Sequence, residues 1–172
     1  FGLGYEHLEL NPGDYTSSES IDRFISENGN WFKSVNLNVN WVKSTLNRGI
    51  FATRGTSQRI GIDAAFPGSG LEYFKVTYKG SHLRGISGQF TLRLRADLGY
   101  GESYGDTSEM PFFKNFYSGG LGSVRGFKKY SLGPRNSPQS GGYGGYSSYT
   151  RPIGGNVQII LGADVIFPLP FI

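Results

Sequence analysis

The sequence predicts an all-β fold, an antiparallel curved sheet of about six strands of the kind that builds transmembrane β-barrels. Three observations carry this. Apolar and polar residues alternate in six separate stretches, the period-two signature of a strand with two unlike faces. The chain holds 27 Gly, 11 Tyr and 13 Phe in 172 residues, with only 17% charged, below the soluble average of about 25%. Mean hydropathy is nonetheless −0.32, and no apolar run approaches the roughly 20 residues of a membrane-crossing helix. Strands that are half apolar and half polar reconcile few charges with middling hydropathy.

The strands follow in order. In the first, near 1–10, Phe1, Leu3 and Tyr5 oppose Gly2, Gly4 and Glu6. In the second, near 33–46, Val35, Leu37, Val39 and Trp41 oppose Asn36, Asn38 and Asn40. The third, near 57–67, sets Ile60, Ile62 and Ala64 against Arg59, Gly61 and Asp63. The fourth, near 71–84, sets Phe74, Val76 and Tyr78 against Lys75, Thr77 and Lys79. The fifth, near 89–101, is the longest run: Phe90, Leu92, Leu94, Ala96, Leu98 and Tyr100 oppose Arg93, Arg95 and Asp97. A tilted membrane strand needs about 9–11 residues, and this one suffices. The sixth, near 155–167, sets Val157, Ile159, Leu161, Ala163, Val165 and Phe167 against Gln158, Gly162 and Asp164. Aromatics sit near the ends of the apolar faces (Phe1, Trp41, Phe74, Phe90, Tyr100, Phe167), as in the aromatic girdles of membrane barrels. A soluble sandwich also pairs an apolar with a charged face, but the girdle favours the barrel.

Long and short connections support the same reading, since outer-membrane barrels have short turns on one side and longer loops on the other. Residues 11–34 form a long loop, within which Ile21, Phe24 and Ile25 fall at helical spacing. Ser18 or Ser20 is the expected N-cap and Gly29 the stop. LNRGIFATRG, PGSG (67–70) and RGISG (84–88) are compact turns, and 102–154 is the longest connection. Its SGGYGGYSSYTRP stretch, 140–152, is expected to be a loop crown. Within a barrel, Arg59, Asp63, Lys75, Lys79, Arg93, Arg95 and Asp97 face the lumen.

The net charge of +4 raises nucleic-acid binding, but the basic residues are scattered and form no basic run, so no such partner is expected. The absence of cysteine excludes disulfide frameworks and thiolate metal sites. His7 and His82 lack ligand spacing, and Ser118 and Ser123 lack the G-x-S-x-G setting of a nucleophile. Neither an enzyme nor a cofactor is expected. The first residues are already strand-like, with no signal peptide before them. The chain is therefore expected to begin within a larger protein.

The stretch GGLGSVRGF, 119–127, places one arginine among glycines, beside Val124 and Phe127. Glycines let a backbone bend tightly and approach a wall. Arg125 could then meet Asp164, its planar fork matching a carboxylate bidentately. In a desolvated lumen, losing one partner of such a pair costs about 3–5 kcal/mol. On residues alone, a solvated Arg125 at a turn stands equally open.

MPFFKNFYSGGLGSVRGFKKYSLGPR, residues 110–135, strongly resembles the sixth extracellular loop of the BamA family of outer-membrane insertases. Its hallmark is V-R-G-F/Y, here Val124, Arg125, Gly126 and Phe127. LNRGIFATRG resembles the family's R-G-F-F-P-T-x-G turn, with Ala52 where proline is usual. FGLGYEHLEL, GSGLEYFKVT and IGGNVQIILGADVIFPLPFI are similar in character, so the resemblance covers essentially the whole chain. It implies a sixteen-stranded barrel preceded by POTRA domains, of which this chain would be the seventh to twelfth strands. It implies an inward-folding loop 102–154 whose arginine packs against an acid on the twelfth strand. Asp164 stands there, with Asp in place of the usual Glu, and a second family acid would lie beyond Ile172.

The resemblance further implies an integral protein of the Gram-negative outer membrane, with its long loops extracellular. Such a protein folds and inserts other outer-membrane proteins without ATP. Its partners would be the lipid bilayer, unfolded outer-membrane proteins as clients, and accessory lipoproteins through the rest of the protein. The free edges of a six-stranded fragment could also pair with another copy. Two alternatives remain: a sibling translocation or assembly factor of the same superfamily, and a soluble β-rich carbohydrate-binding module using Trp31, Trp41 and tyrosines.

Overall fold

A computed structural model describes residues 1–10, 19–135 and 152–168. Its strands are β1 (Gly2–Glu9), β2 (Trp31–Ser44), β3 (Gly55–Ala65), β4 (Tyr73–Ser87), β5 (Phe90–Ser103) and β6 (Val157–Ile166). Helix α1 (Glu19–Asn28) lies between β1 and β2, and a 3-10 turn (Phe112–Lys114) between β5 and β6. The strands form one antiparallel sheet in chain order, with β1 and β6 at its open edges. In the stretch 89–100, where helix would refute a barrel, residues 90–100 are strand and Gln89 is turn.

Register turns the alternation into two surfaces. Trp41, Ile60, Tyr78, Leu98 and Ile159 stand side by side across five strands. The adjacent row, on the opposite face, is Asn40, Gly61, Thr77, Gly99 and Gln158. The apolar face is bare: Leu161 is 72% exposed and Ile159 70%. A soluble sandwich would cover that face with a second sheet, whereas in a membrane barrel it meets lipid. Here the chain's own loops cover the polar face instead. β4 and β5, at 15 and 14 residues, exceed the about 9–11 needed to cross.

The packed core sits on the polar face, at the end that carries the long connections. Leu10, Phe24, Phe32, Ala65, Leu71, Tyr73 and Met110 are buried together, with Ile25, Phe112 and Phe113 against them. Phe24 on α1 meets the rings of Phe32, Phe112 and Phe113. The helix thus joins the β1–β2 loop to the β5–β6 loop as a dome over this end of the polar face. Gly29 closes α1 at φ 82, its N–H donating to the Ile25 carbonyl, the left-handed stop that glycine supplies. Ser20 already lies within the helix, which excludes it as the cap; Ser18 lies outside the described residues.

At the other end the turns are tight. Asn47 Oδ1 accepts the N–H groups of Thr53 and Arg54 at 3.0 and 3.2 Å, bracing the turn that contains Ala52. Gly88 and Gln89 close the β4–β5 hairpin, after a register shift between Gly85 and Ser87. The 140–151 part of the expected loop crown lies outside the described residues.

Candidate functional site

The polar faces of β5 and β6 build a charged wall. Arg93 stands directly opposite Asp164, and Arg95 opposite Gly162. With no side chain at Gly162, the Arg95 guanidinium lies over that backbone and reaches along the strand. Asp164 Oδ2 accepts a hydrogen bond from Arg93 Nε at 3.0 Å and lies 3.0 Å from Arg93 Nη2 and 2.9 Å from Arg95 Nε. Oδ1 accepts Arg125 Nη2 at 2.9 Å. One carboxylate therefore gathers three guanidiniums, two from the wall and one from the loop.

The Arg125–Asp164 pair forms, but not as the expected bidentate, desolvated bridge. Asp164 has only one oxygen left for Arg125, because Arg93 and Arg95 occupy the other. Arg125 is 60% exposed and Asp164 17%, so the loop charge keeps much of its solvation. Within the motif, Gly126 takes φ 87, a conformation that glycine adopts without the strain of a Cβ. Val124 is half-buried and Phe127 exposed. The remaining expected charges share this face. Lys79 and Asp97 are cross-strand partners 3.4 Å apart, Arg59 neighbours Lys79, and Asp63 neighbours Lys75. A cavity of about 650 Å³ lies between wall and loop tip, lined by Arg59, Lys79, Arg95, Asp97, Val124 and Arg125 among others.

Several anchors seat the loop. Phe116 exchanges two backbone hydrogen bonds with Gly155, and its ring lies directly on Gly99, where a Cβ would come within 2.4 Å of a ring carbon. Lys75 Nζ sits 4.1 Å from that ring's centre and donates to the Lys114 carbonyl at 2.6 Å. Lys114 Nζ in turn donates to both Glu6 oxygens, at 2.7 and 3.0 Å. Burial alone would lower the Lys114 pKa, but the Glu6 hydrogen bond and the neighbouring Tyr73 outweigh it and the net direction is up. Gln158 Nε2 donates to Ser118 Oγ, and the Gly119 N–H to Ser123 Oγ, each at 2.8 Å. Both serines are thus loop fasteners. His7 stacks edge-on to Trp31, and His82 Nδ1 shares a hydrogen bond with Thr56 Oγ1.

Three features escaped sequence reasoning. The sequence marks Arg93 and Arg95 as lumen charges but does not point to them as partners of Asp164. The Lys114–Glu6 link joins β1 to a turn more than a hundred residues away. Glu72 lies buried in the β3–β4 connection, where Oε1 accepts the Gly68 N–H and Oε2 the Asp106 N–H. Those two donors hold its carboxyl below the ordinary value. Cross-strand register was the missing signal for the arginines; no local pattern marks the other two.

Comparison with known proteins agrees with this architecture. The chain matches the Omp85 superfamily domain over residues 1–172. It is 35% identical over 178 aligned positions to the outer membrane protein assembly factor BamA of Neisseria meningitidis serogroup B, covering 99% of this chain and 21% of that protein. Its structure is similar to that of BamA from Haemophilus ducreyi lacking POTRA domains 1–3, with a TM-score of 0.83 at 26% identity. That similarity covers 99% of this chain and 34% of the other. The chain thus spans about a fifth of the curated relative and a third of the solved one. With the bare apolar face, the lidded polar face and this family match along its length, the chain belongs to the Omp85 superfamily, as a six-stranded segment of an integral outer-membrane β-barrel.

Proposed function

We propose that this chain is the central part of a barrel whose parent protein folds and inserts other outer-membrane proteins, without ATP, cofactor or catalytic residue. The assembly role named for the meningococcal relative supports this reading. Clients would be unfolded outer-membrane proteins, recruited at strand edges elsewhere in the barrel by free backbone hydrogen-bonding groups. Accessory lipoproteins would bind through the rest of the protein. This segment is scaffold, and its 102–154 loop is an internal strut. The observation that carries the strut role is the loop arginine on the wall carboxylate, Arg125 to Asp164 at 2.9 Å. A loop fixed at β1, β4, β5 and β6 holds the strands at one curvature, so a gate elsewhere can open without collapse of the wall.

The test is a charge swap in the full-length protein, scored by outer-membrane protein assembly in cells. Wild type sums Arg93, Arg95 and Arg125 against Asp164, a net +2. Arg125→Glu lowers this local sum to zero, Asp164→Arg raises it to +4, and the double change restores +2. Assembly is expected to fall in each single variant, most in Asp164→Arg, and to recover in the double. Wild-type assembly in Arg125→Glu would end the strut reading.

A further inference from the structure

A second cavity, of about 780 Å³, opens at the turn end of the sheet. It is a notch between two protrusions of unequal length. The last β3–β4 pair is Gly55 with Leu83, yet β4 runs on to Ser87. On the β3 side, the hairpin edge from Arg84 to Ser87 therefore has no strand beside it among the described residues, and its backbone groups on that side face the notch. Across the gap stands the β2–β3 turn. Arg48 and Arg54 line the notch from the turn, His82 and Arg84 from the hairpin, and Leu83 and Thr91 are its buried members. Among the described residues, no Asp or Glu lines it. Among the described residues, no side-chain ion pair or hydrogen bond occupies the guanidiniums of Arg48, Arg54 or Arg84.

The contrast with the first cavity is chemical. There, Asp97 and Asp164 answer the cations; here nothing among the described residues does. Such a notch calls for an anion with several acceptor oxygens, and guanidiniums bind phosphate bidentately. Its position narrows the source. The long loops mark the extracellular end, so the turn end meets the periplasmic leaflet. The bare apolar face continues to this level at Phe90 and Phe167, whose rings pack together. The turn tip presents Ile50 and Phe51, 76% and 86% exposed, an apolar pair suited to the boundary between headgroups and acyl chains. We propose that the notch holds the phosphate headgroup of an anionic phospholipid of the periplasmic leaflet, clamped by Arg48, Arg54 and Arg84.

Detergent-purified full-length protein, titrated with short-chain phosphatidylglycerol and followed by native mass spectrometry, tests this. Wild type is expected to retain one phosphatidylglycerol more tightly than the rest, and more tightly than phosphatidylcholine. Each arginine-to-glutamine change should weaken that lipid by about fivefold, from the usual contribution of one cation near an anionic surface. The triple variant should lose it. If the triple variant fails to show the heat-modifiable mobility of a folded barrel, the three single variants decide instead. Unchanged retention in the variants overturns the proposal, as does equal retention of phosphatidylcholine. Displacement by millimolar inorganic phosphate as readily as by lipid would make it a free-phosphate site and overturn the lipid assignment. Hydrogen-exchange protection of residues 84–87 in lipid-free micelles, with lipid retention unaffected by the substitutions, would assign the notch to a polypeptide edge partner instead.

Discussion

Asp164→Asn should destabilise the barrel more than Arg125→Gln, although the two residues share a salt bridge. Removing the Arg125 charge breaks one 2.9 Å contact from a side chain that is 60% exposed. Asp164 keeps Arg93 and Arg95, so nothing buried is stranded. A pair this exposed is worth about 0.2–1 kcal/mol. Removing the Asp164 charge is different in kind. Its carboxylate is 17% exposed and lies within 3.0 Å of atoms from three arginines. Without it, Arg93 and Arg95, 33% and 36% exposed, stand side by side on β5 and lose the carboxylate they share. Breaking a fully buried pair costs about 3–5 kcal/mol. Partial exposure screens the repulsion, which leaves about 2–3 kcal/mol. In the double variant the Arg125 contact is already gone, so its cost should equal that of Asp164→Asn alone. The assay is urea unfolding of the full-length protein in micelles, followed by heat-modifiable mobility on gels. An Arg125→Gln cost equal to or above that of Asp164→Asn would refute the hierarchy, and strict additivity in the double variant would refute the shared carboxylate.

Three further outcomes are expected. Gly99→Leu drives a side chain into the Phe116 ring; overpacking costs about 1–3 kcal/mol, and limited proteolysis of intact cells should cut the 102–154 loop faster. Phe24→Ala removes the ring that ties α1 to Phe32, Phe112 and Phe113, a loss of about 3–5 kcal/mol that should appear as hydrogen exchange confined to α1 and residues 110–114. Glu72, held below its ordinary value of 4.5 by the Gly68 and Asp106 amides, stabilises the β3–β4 connection fully above that value. This contribution is lost as pH falls through the lower folded value, so exchange at Gly68 and Asp106 should accelerate there in wild type and show no such step in Glu72→Gln.

Much of the fold was legible because strand alternation is local. Val157 to Phe167 shows its two faces without reference to any other strand, and so does Phe90 to Tyr100. The short helix was legible for the same reason, since Ile21, Phe24 and Ile25 share a face whatever they pack on. The strut arginine was legible only through its motif, and its partner was one named acid. That Asp164 also serves Arg93 and Arg95 depends on β5–β6 register, which places Arg93 opposite it and leaves Gly162 bare for Arg95. The dome core was not legible, because Phe24, Phe32, Met110 and Tyr73 come from four separate elements and connections with no shared period.

By itself, then, the sequence determined that there are strands with one apolar and one polar face, that long connections alternate with turns, and that one loop carries an arginine among glycines. Only the tertiary structure decided which face is left bare, which end is domed, how three arginines divide one carboxylate, and where a cationic notch stands without an acid among the described residues. The physical reason is range. Side-chain alternation is set by the geometry of neighbouring residues, whereas ion pairing is set by distances between residues tens of positions apart. Those distances exist only once register and loop seating have brought the residues together.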